Sequence, residues 1–235
     1  IMPDVVAGTS IGAFVGGVYA CGMSLKMMER VCYSINEKDL MDVVRPRQGL
    51  IGGARIERML RTLTGNRTFD QARIPFAAVA TELERGERFV FQEGPIWEGV
   101  RASISIPGIF VPFHIGGHTY VDGGVVDRVP IAAARELGAD FVIGVDVGYR
   151  GGESPCDDLF KIILHSMEIM EWQVMQRRVG EGDFVLAPSL LEVNPASMAQ
   201  AETCIRIGRE EMQRRLPELQ EAIEKKKAEL AARQE

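Results

Sequence analysis

A serine lies between two glycines in the segment Gly8-Thr9-Ser10-Ile11-Gly12, which has the pattern G-x-S-x-G. The apolar run Val5–Thr9 predicts a buried strand, and the residues from Ile11 to Cys21 predict a helix. A serine at such a tight strand-to-helix turn projects beyond the strand and can act as a nucleophile, while the first N–H groups of the helix stabilise negative charge. The segment could equally be a glycine-rich turn in which the serine has no chemical role.

A nucleophilic serine needs a base, and the chain has three histidines. His165 follows within an apolar helical pattern, where a catalytic loop residue is not expected. His114 and His118 lie in a glycine-rich segment and are interpreted as surface loop residues, too few for a metal site. The sequence therefore gives little support to a Ser-His-Asp triad, whose histidine would lie on a loop.

A carboxylate could accept the proton instead. Asp122 follows the apolar residues Tyr120 and Val121 and precedes Gly123-Gly124, where the backbone can approach closely. An Asp-Gly-Gly segment is also a common turn, so both interpretations stay open from these residues alone.

Composition and missing motifs exclude several classes of protein. The chain has 235 residues, 46% hydrophobic and 26% charged, with a net charge of −6, which fits a soluble globular protein and argues against nucleic-acid binding. It lacks G-x-G-x-x-G after a strand, G-K-[ST] and H-E-x-x-H, so the common nucleotide sites and the zincin site are absent.

The rest of the chain alternates short apolar runs with helical patterns, which predicts an α/β fold with a mostly parallel sheet. Phe141–Val147 gives the clearest strand pattern. The predicted later helices are Arg55–Leu63, Leu159 to about Arg178, and a polar tail from about Thr203 onward.

Three motifs in this order resemble the patatin-like phospholipases, in particular the bacterial branch similar to neuropathy target esterase. They are Gly8–Gly12, the segment Ala102-Ser103-Ile104-Ser105-Ile106-Pro107-Gly108, and Asp122-Gly123-Gly124. Ala80-Thr81-Glu82 and Leu137-Gly138-Ala139-Asp140 fit the same order and spacing. The resemblance extends over nearly all of residues 1–215.

The resemblance implies a three-layer α/β/α fold and a serine lipid acyl hydrolase, of the phospholipase or lysophospholipase type, that forms an acyl-enzyme. Ser10 would be the nucleophile and Asp122 its base, with no catalytic histidine, no metal and no cofactor. Gly8, Ile11 and Gly12 would form the turn and its backbone donors, and Gly123 and Gly124 would support Asp122.

In that family a glycine-rich oxyanion loop and a first strand precede the nucleophile. This sequence starts at Ile1, too late to include them, so we expect residues 1–235 alone to have impaired activity. The alternative is a weakly active or inactive lipid-binding or regulatory protein with the same fold.

We expect one patatin-like domain over residues 1–235, with a catalytic core to about residue 150 and a helical part from about 151. The expected location is the cytoplasm, with peripheral contact at the inner membrane face, and the helix from Leu159 could also support a homo-oligomer. The widely spaced Cys21, Cys32, Cys156 and Cys204 are interpreted as reduced thiols.

Overall fold

A computed structural model describes residues 1–35, 42–43, 49–148, 157–191, 193 and 198–232 of the chain. The strands are β1 (Val6–Thr9), β2 (Gly49–Ile51), β3 (Phe76–Glu82), β4 (Glu87–Phe91), β5 (Gly108–Phe110), β6 (Phe113–Ile115), β7 (His118–Asp122), β8 (Ile143–Val145) and β9 (Phe184–Leu186). The α-helices are α1 (Ile11–Ala20), α2 (Leu25–Ser34), α3 (Ala54–Leu63), α4 (Ile96–Ser103), α5 (Ile131–Glu136), α6 (Leu159–Arg178) and α7 (Ala201–Ala232). This alternation confirms the predicted α/β fold.

The longest strand, β3, is buried along its whole length and organises the five-stranded sheet. On one edge it pairs antiparallel with β4. The other edge is shared: β1 pairs parallel with the first half of β3 as far as Val79, and β7 pairs antiparallel with the second half from Ala80 onward. Because β1 and β7 run toward each other along that edge, their carboxyl ends meet.

Strand direction follows the connections between strands. The pairs β1–β3, β2–β5 and β8–β9 are parallel, and each pair is joined by a long connection. The pairs of β3 with β4 and β7, and of β6 with β7, are antiparallel, with short turns in the β3–β4 and β6–β7 hairpins.

Helix α1 lies close against the sheet because glycines face it. A Cβ atom on Gly16 would lie 2.9 Å from Val6 Cγ1, and one on Gly17 would lie 3.1 Å from Val100 Cγ2 of α4. Gly16 thus allows α1 to approach β1, and Gly17 allows it to approach α4. The core of this part joins β3 to α1, α3 and α4, with Phe76, Ile96 and Leu60 among its buried residues.

A second apolar cluster lies in the C-terminal part. Phe184 and Leu186 of β9 and Leu219 of α7 are its buried residues, and Phe141 and Ile143 pack against them. The predicted strand Phe141–Val147 is shorter in the structure, Ile143–Val145, because its described ladder pairs it with three residues of β9.

Two predictions fall partly or wholly outside the described residues. Cys21, Cys32 and Cys204 are free thiols, whereas Cys156 lies outside the described residues. The predicted boundary near residues 150 and 151 also lies outside them. Of the helices that the structure describes, none has the length and the apolar character needed to cross a bilayer.

Candidate active site

Ser10 occupies the turn between β1 and α1, and its backbone is strained. Its φ is +55° and its ψ is −124°, a combination that residues with side chains rarely adopt. The turn requires glycine at position 8, because a Cβ atom there would lie 2.3 Å from the carbonyl oxygen of Gly12, which is too close for any side chain. The turn presents the Ser10 side chain beyond the end of β1.

A second serine holds this turn in place. The Ser10 N–H donates to Ser103 Oγ at 2.8 Å, and Ser103 Oγ donates to the Val79 carbonyl at 2.6 Å. Ser103 is fully buried at the end of α4. The strained residue is therefore tied through one hydroxyl group to the central strand β3.

Asp122 ends β7 and lies beside Ser10, with only 5% of its surface exposed. Ser10 Oγ donates to Asp122 Oδ2 at 2.5 Å, and the Gly124 N–H donates to Asp122 Oδ1 at 2.7 Å. Burial raises the pKa of Asp122 to about 6, although both hydrogen bonds lower it. The carboxylate is thus mostly ionised at pH 7, with a pKa close to the value that suits a general base.

The backbone of Asp122 is fixed on both sides. Thr81 Oγ1 donates to its carbonyl oxygen at 2.9 Å, and its own N–H donates to the Ser105 carbonyl at 2.9 Å. Thr81 and Ser105 belong to segments that the sequence analysis identified by resemblance, without assigning them a role. The hydroxyl of Thr81 and the carbonyl of Ser105 hold the carboxylate at the end of its strand.

Arg101 supports Ser105 from inside the core. It is 1% exposed, and its Nη1 donates to Ser105 Oγ at 2.6 Å. Its Nη2 donates to the carbonyls of Gly52 and Val111, and its Nε lies 3.3 Å from Glu57 Oε1. A buried guanidinium group needs such partners to offset its loss of hydration. Through these contacts Arg101 connects Ser105, in the loop after α4, to Gly52 and Val111.

Gly123 and Gly124 allow the chain to turn directly after Asp122. A Cβ atom on Gly123 would lie 2.3 Å from the Val79 carbonyl oxygen, so position 123 has no room for a side chain. Gly124 supplies the N–H that binds Asp122, and a Cβ atom there would lie 3.1 Å from Asp122 Oδ1.

The first turn of α1 lies next to Ser10. The N–H groups of Ile11 and Gly12 belong to the set that lacks acceptors within the helix. A Cβ atom on Gly12 would have nothing within 4 Å, so crowding explains glycine at position 8 but not at position 12. Gly12 leaves open space beside the helix N-terminus.

A cavity of about 1050 Å³ opens at Ser10 and Asp122. Strand β1 and the residues around β8 form part of its wall, together with the first turn of α1. Apolar side chains also line it, including Ile106, Ile109, Leu164 and Met167.

Helix α6 contributes a carboxyl group that the sequence analysis missed. A Cβ atom on Gly124 would lie 3.3 Å from Glu171 Oε2 and 3.1 Å from Asp122 Oδ1. Burial and the charge of Asp122 raise the pKa of Glu171 to about 7, against the opposing charge of Arg128. The available signal was the pair Glu168 and Glu171, one turn apart in an otherwise mostly apolar helical pattern.

The three histidines have other partners. His114 Nδ1 lies 3.2 Å from Thr119 Oγ1, His118 Nδ1 lies 2.9 Å from Glu82 Oε1, and His165 Nδ1 lies 3.2 Å from Glu168 Oε2. The hydroxyl of Ser10 donates to Asp122 instead.

Within the described residues, one group of three side chains could hold a metal ion: Glu82, Glu84 and His118 have ligand atoms within 4.8 Å of one another. They lie at the opposite end of β7 from Asp122. Glu82 is already paired with His118 and Arg85, and Glu84 accepts the Thr119 N–H. These contacts account for the group as a set of ion pairs and hydrogen bonds.

Comparison with known proteins gives a consistent set of similarities. The family model described as Patatin-like phospholipase matches residues 1–135. An uncharacterized NTE family protein of Mycobacterium tuberculosis is 36% identical over 145 residues, which is 60% of this chain and 40% of that protein. Patatin-like phospholipase domain-containing protein 7 of Rattus norvegicus is 30% identical over 155 residues, 63% of this chain and 12% of that protein.

Lysophospholipase NTE1 of Debaryomyces hansenii is 29% identical over 160 residues, 65% of this chain and 10% of that protein. The matched part of the chain thus spans 40% or less of the length of each of these relatives.

Proposed function

The chain belongs to the patatin-like phospholipase family, and on that premise we propose that it is a serine lipid acyl hydrolase whose reacting pair is Ser10 and Asp122. The observation that carries the proposal is the 2.5 Å hydrogen bond from Ser10 Oγ to a buried carboxylate with a pKa of about 6. At neutral pH such a base can accept the proton of the Ser10 hydroxyl group, which makes the Ser10 oxygen a nucleophile.

Acyl transfer begins when Ser10 Oγ attacks the carbonyl carbon of a lipid ester. The Oγ–C bond forms as the Ser10 proton moves to Asp122 Oδ2, and the electron pair of the carbonyl moves to its oxygen. When the tetrahedral intermediate collapses, the ester C–O bond breaks and Asp122 returns the proton to the leaving alkoxide. The product is an acyl group on Ser10.

Water completes the cycle by the reverse sequence. Asp122 takes a proton from the attacking water as the new C–O bond forms, and the Ser10 Oγ–C bond then breaks. Ser10 recovers the proton and the fatty acid leaves, so the enzyme is regenerated. Each proton that Asp122 accepts, it also returns.

Negative charge on the carbonyl oxygen needs donors outside the pair. The N–H groups of Ile11 and Gly12 supply them in this proposal, since the open space at Gly12 lets a carbonyl oxygen approach the helix N-terminus. Gly8 shapes the turn, and Gly123 and Gly124 let the backbone pass close behind Asp122.

A lipid ester fits the surroundings of Ser10. The cavity carries apolar side chains that suit an acyl chain: Ile106 from the loop after α4, Ile109 of β5, and Leu164 and Met167 of α6. One relative is named a lysophospholipase. We therefore propose phospholipids or lysophospholipids as the substrate class.

Helix α6 also offers a surface for peripheral membrane contact. Phe160, Ile163 and Met170 are 38%, 50% and 59% exposed, and α6 lines the cavity with other residues. Contact with the inner membrane face would place lipid next to Ser10. Exchange of Ile163 and Met170 for glutamate should weaken sedimentation with phospholipid vesicles, and unchanged sedimentation would contradict this contact.

Fatty acid release from lysophospholipid and phospholipid vesicles tests the proposed activity in the full-length protein. Ser10→Ala and Asp122→Asn should each lower turnover by at least about 10³-fold. Matched exchanges of an exposed serine and an exposed aspartate, Ser34→Ala and Asp70→Asn, should leave turnover unchanged.

Turnover that persists in Ser10→Ala would contradict the proposal. Lipid binding by the wild type without any turnover would instead favour the alternative, a lipid-binding or regulatory protein with the same fold.

A further inference from the structure

Glu171 approaches the reacting pair from a separate element. Helix α6 packs against the turn Gly123–Val125 that follows β7. At this contact Glu171 Oε2 lies 3.3 Å from the position that a Cβ atom on Gly124 would occupy. Both Glu171 and Asp122 line the cavity, so the site contains two carboxyl groups.

The two oxygens of Asp122 have different neighbours. Oδ2 accepts the hydrogen bond of Ser10, while Oδ1 accepts the Gly124 N–H. A Cβ atom on Gly124 would lie 3.1 Å from Oδ1 and 3.3 Å from Glu171 Oε2. Glu171 therefore approaches Asp122 at Gly124, the residue whose N–H binds the oxygen that Ser10 does not use.

We propose, on the basis of the proposed function, that Glu171 is a positioning residue that acts through Asp122. Its ionised carboxylate makes Asp122 a stronger base toward the proton of Ser10.

The direction of this effect follows from how charge moves. When Ser10 attacks, Asp122 gains a proton and the negative charge moves to the carbonyl oxygen of the substrate. In the proposed function that oxygen is bound by the N–H groups of Ile11 and Gly12, at the turn that carries Ser10. An ionised Glu171 repels the charge on Asp122, and proton transfer relieves this repulsion. Ionisation of Glu171 therefore favours acyl transfer.

Besides Asp122, two charged groups act on Glu171. Arg128, in the segment before α5, lowers the pKa of Glu171, and Glu168, one turn earlier on α6, raises it. Arg128 is bound by Asp146 at 2.6 Å, and Glu168 contacts His165 at 3.2 Å. Burial and Asp122 outweigh Arg128, so the pKa of Glu171 lies at about 7.

Two protons should therefore leave the pair in sequence. The values of about 6 for Asp122 and about 7 for Glu171 belong to the coupled pair. The first ionisation makes Asp122 available as a base, and the second makes it a stronger one. The rate of attack by Ser10 should rise in two steps as the pH increases.

The test is the rate at which a serine-directed fluorophosphonate labels Ser10 in the full-length protein between pH 5 and pH 9. The wild type should show both steps. Glu171→Gln should lose the second step and label about 3- to 10-fold more slowly than the wild type above pH 8. Below pH 6 the two proteins should label at the same rate, because Gln resembles the neutral form of Glu171.

Two control variants sharpen the result. Glu221→Gln, at an exposed position on α7, should leave the profile unchanged. Glu168→Gln should keep both steps and move the second one to lower pH, because Glu168 raises the pKa of Glu171.

An intact second step in the Glu171→Gln profile would overturn the inference. A labelling rate that is lowered equally at all pH values in this variant would also overturn it, because it indicates a structural role. If Glu171→Gln does not fold, the wild-type profile decides the question, because a single step between pH 5 and pH 9 would also overturn the inference. Absence of any Ser10 adduct in the wild type would contradict the proposed function itself.

Discussion

Burial of Asp122 makes it a useful base and also costs stability. The folded protein raises the pKa of this carboxyl group to about 6, mainly through desolvation, while the unfolded chain has a value of about 4. The folded state therefore binds the proton more tightly than the unfolded state. This tighter proton binding stabilises the folded state below about pH 4, and the stabilisation is lost as the pH rises through about 6.

Asp122→Asn removes the buried charge, so it should stabilise the protein at pH 8 while it abolishes activity. We expect a free energy of unfolding about 1–3 kcal/mol above that of the wild type at pH 8, and a difference near zero at pH 4. Urea unfolding at both pH values measures it, with exposed Asp70→Asn as the control. A difference independent of pH would contradict the assigned cause.

Residue types and spacing made Ser10 and Asp122 candidates, because each lies in a short glycine-containing motif at the end of a strand, and the resemblance to the patatin-like phospholipases supplied their expected roles. The same reasoning missed Glu171, whose neighbour Asp122 is 49 residues away in the sequence. It also gave no role to Ser103, Ser105 and Thr81. Their hydrogen bonds join distant segments, as in the 93-residue separation between Ser10 and Ser103, and local patterns do not encode such contacts.

Among the elements, the shared edge of β3 brings the reacting pair together. Thr9 pairs with Val79 and Asp122 with Ala80, so the carboxyl ends of β1 and β7 meet beside neighbouring residues of one strand. The turn after β1 carries Ser10, and the last residue of β7 is Asp122. The position of each side chain is fixed by backbone pairing on a fully buried strand.

The turn between β1 and α1 should tolerate a methyl group at one glycine and not at the other. Gly8→Ala places a Cβ atom 2.3 Å from the backbone oxygen of Gly12, whereas Gly12→Ala meets nothing within 4 Å. We expect Gly8→Ala to lower the free energy of unfolding by about 2–3 kcal/mol. Gly12→Ala should leave it unchanged or raise it by up to about 1 kcal/mol.

Chemical denaturation of the two alanine variants provides the comparison. Equal stability of Gly8→Ala and Gly12→Ala would show that the turn relaxes, and the argument from crowding at Gly8 would then be wrong.

Most elements were predictable because their hydrophobic periodicity is local. Helix α6 has the predicted bounds Leu159–Arg178, and α1 and α3 agree within one residue at each end. The short strands β2, β5 and β6 were not predicted, since each has three residues and depends on a partner far along the chain. The meeting of β1 and β7 was likewise beyond prediction, because register depends on tertiary pairing.

At the scale of the whole molecule, the described part of the chain has two apolar clusters, and we propose that they form one cooperative domain. The first surrounds β3, and the second joins Phe184 and Leu186 to Leu219 of α7. Phe141 and Ile143 precede residue 150, yet they pack in the second cluster. The C-terminal helical part is thereby connected to the region that contains the reacting pair.

Leu219→Ala tests this cooperativity. Leu219 is 2% exposed, so truncation should cost about 2–4 kcal/mol. Amide hydrogen exchange should show an equal loss of protection in β3 and β9 if the clusters unfold together. Loss confined to β9 would contradict a single domain, and Leu216→Ala, at a position 38% exposed on the same helix, is the control.

The central claim is that Asp122 activates Ser10 without a histidine. The most direct measurement is fluorophosphonate labelling of the full-length protein, with the adduct located by peptide mass. We predict an adduct on Ser10 in the wild type and in a variant with all three histidines replaced by glutamine, and none in Asp122→Asn. Labelling of Asp122→Asn at the wild-type rate, or its loss in the folded histidine-free variant, would contradict the account.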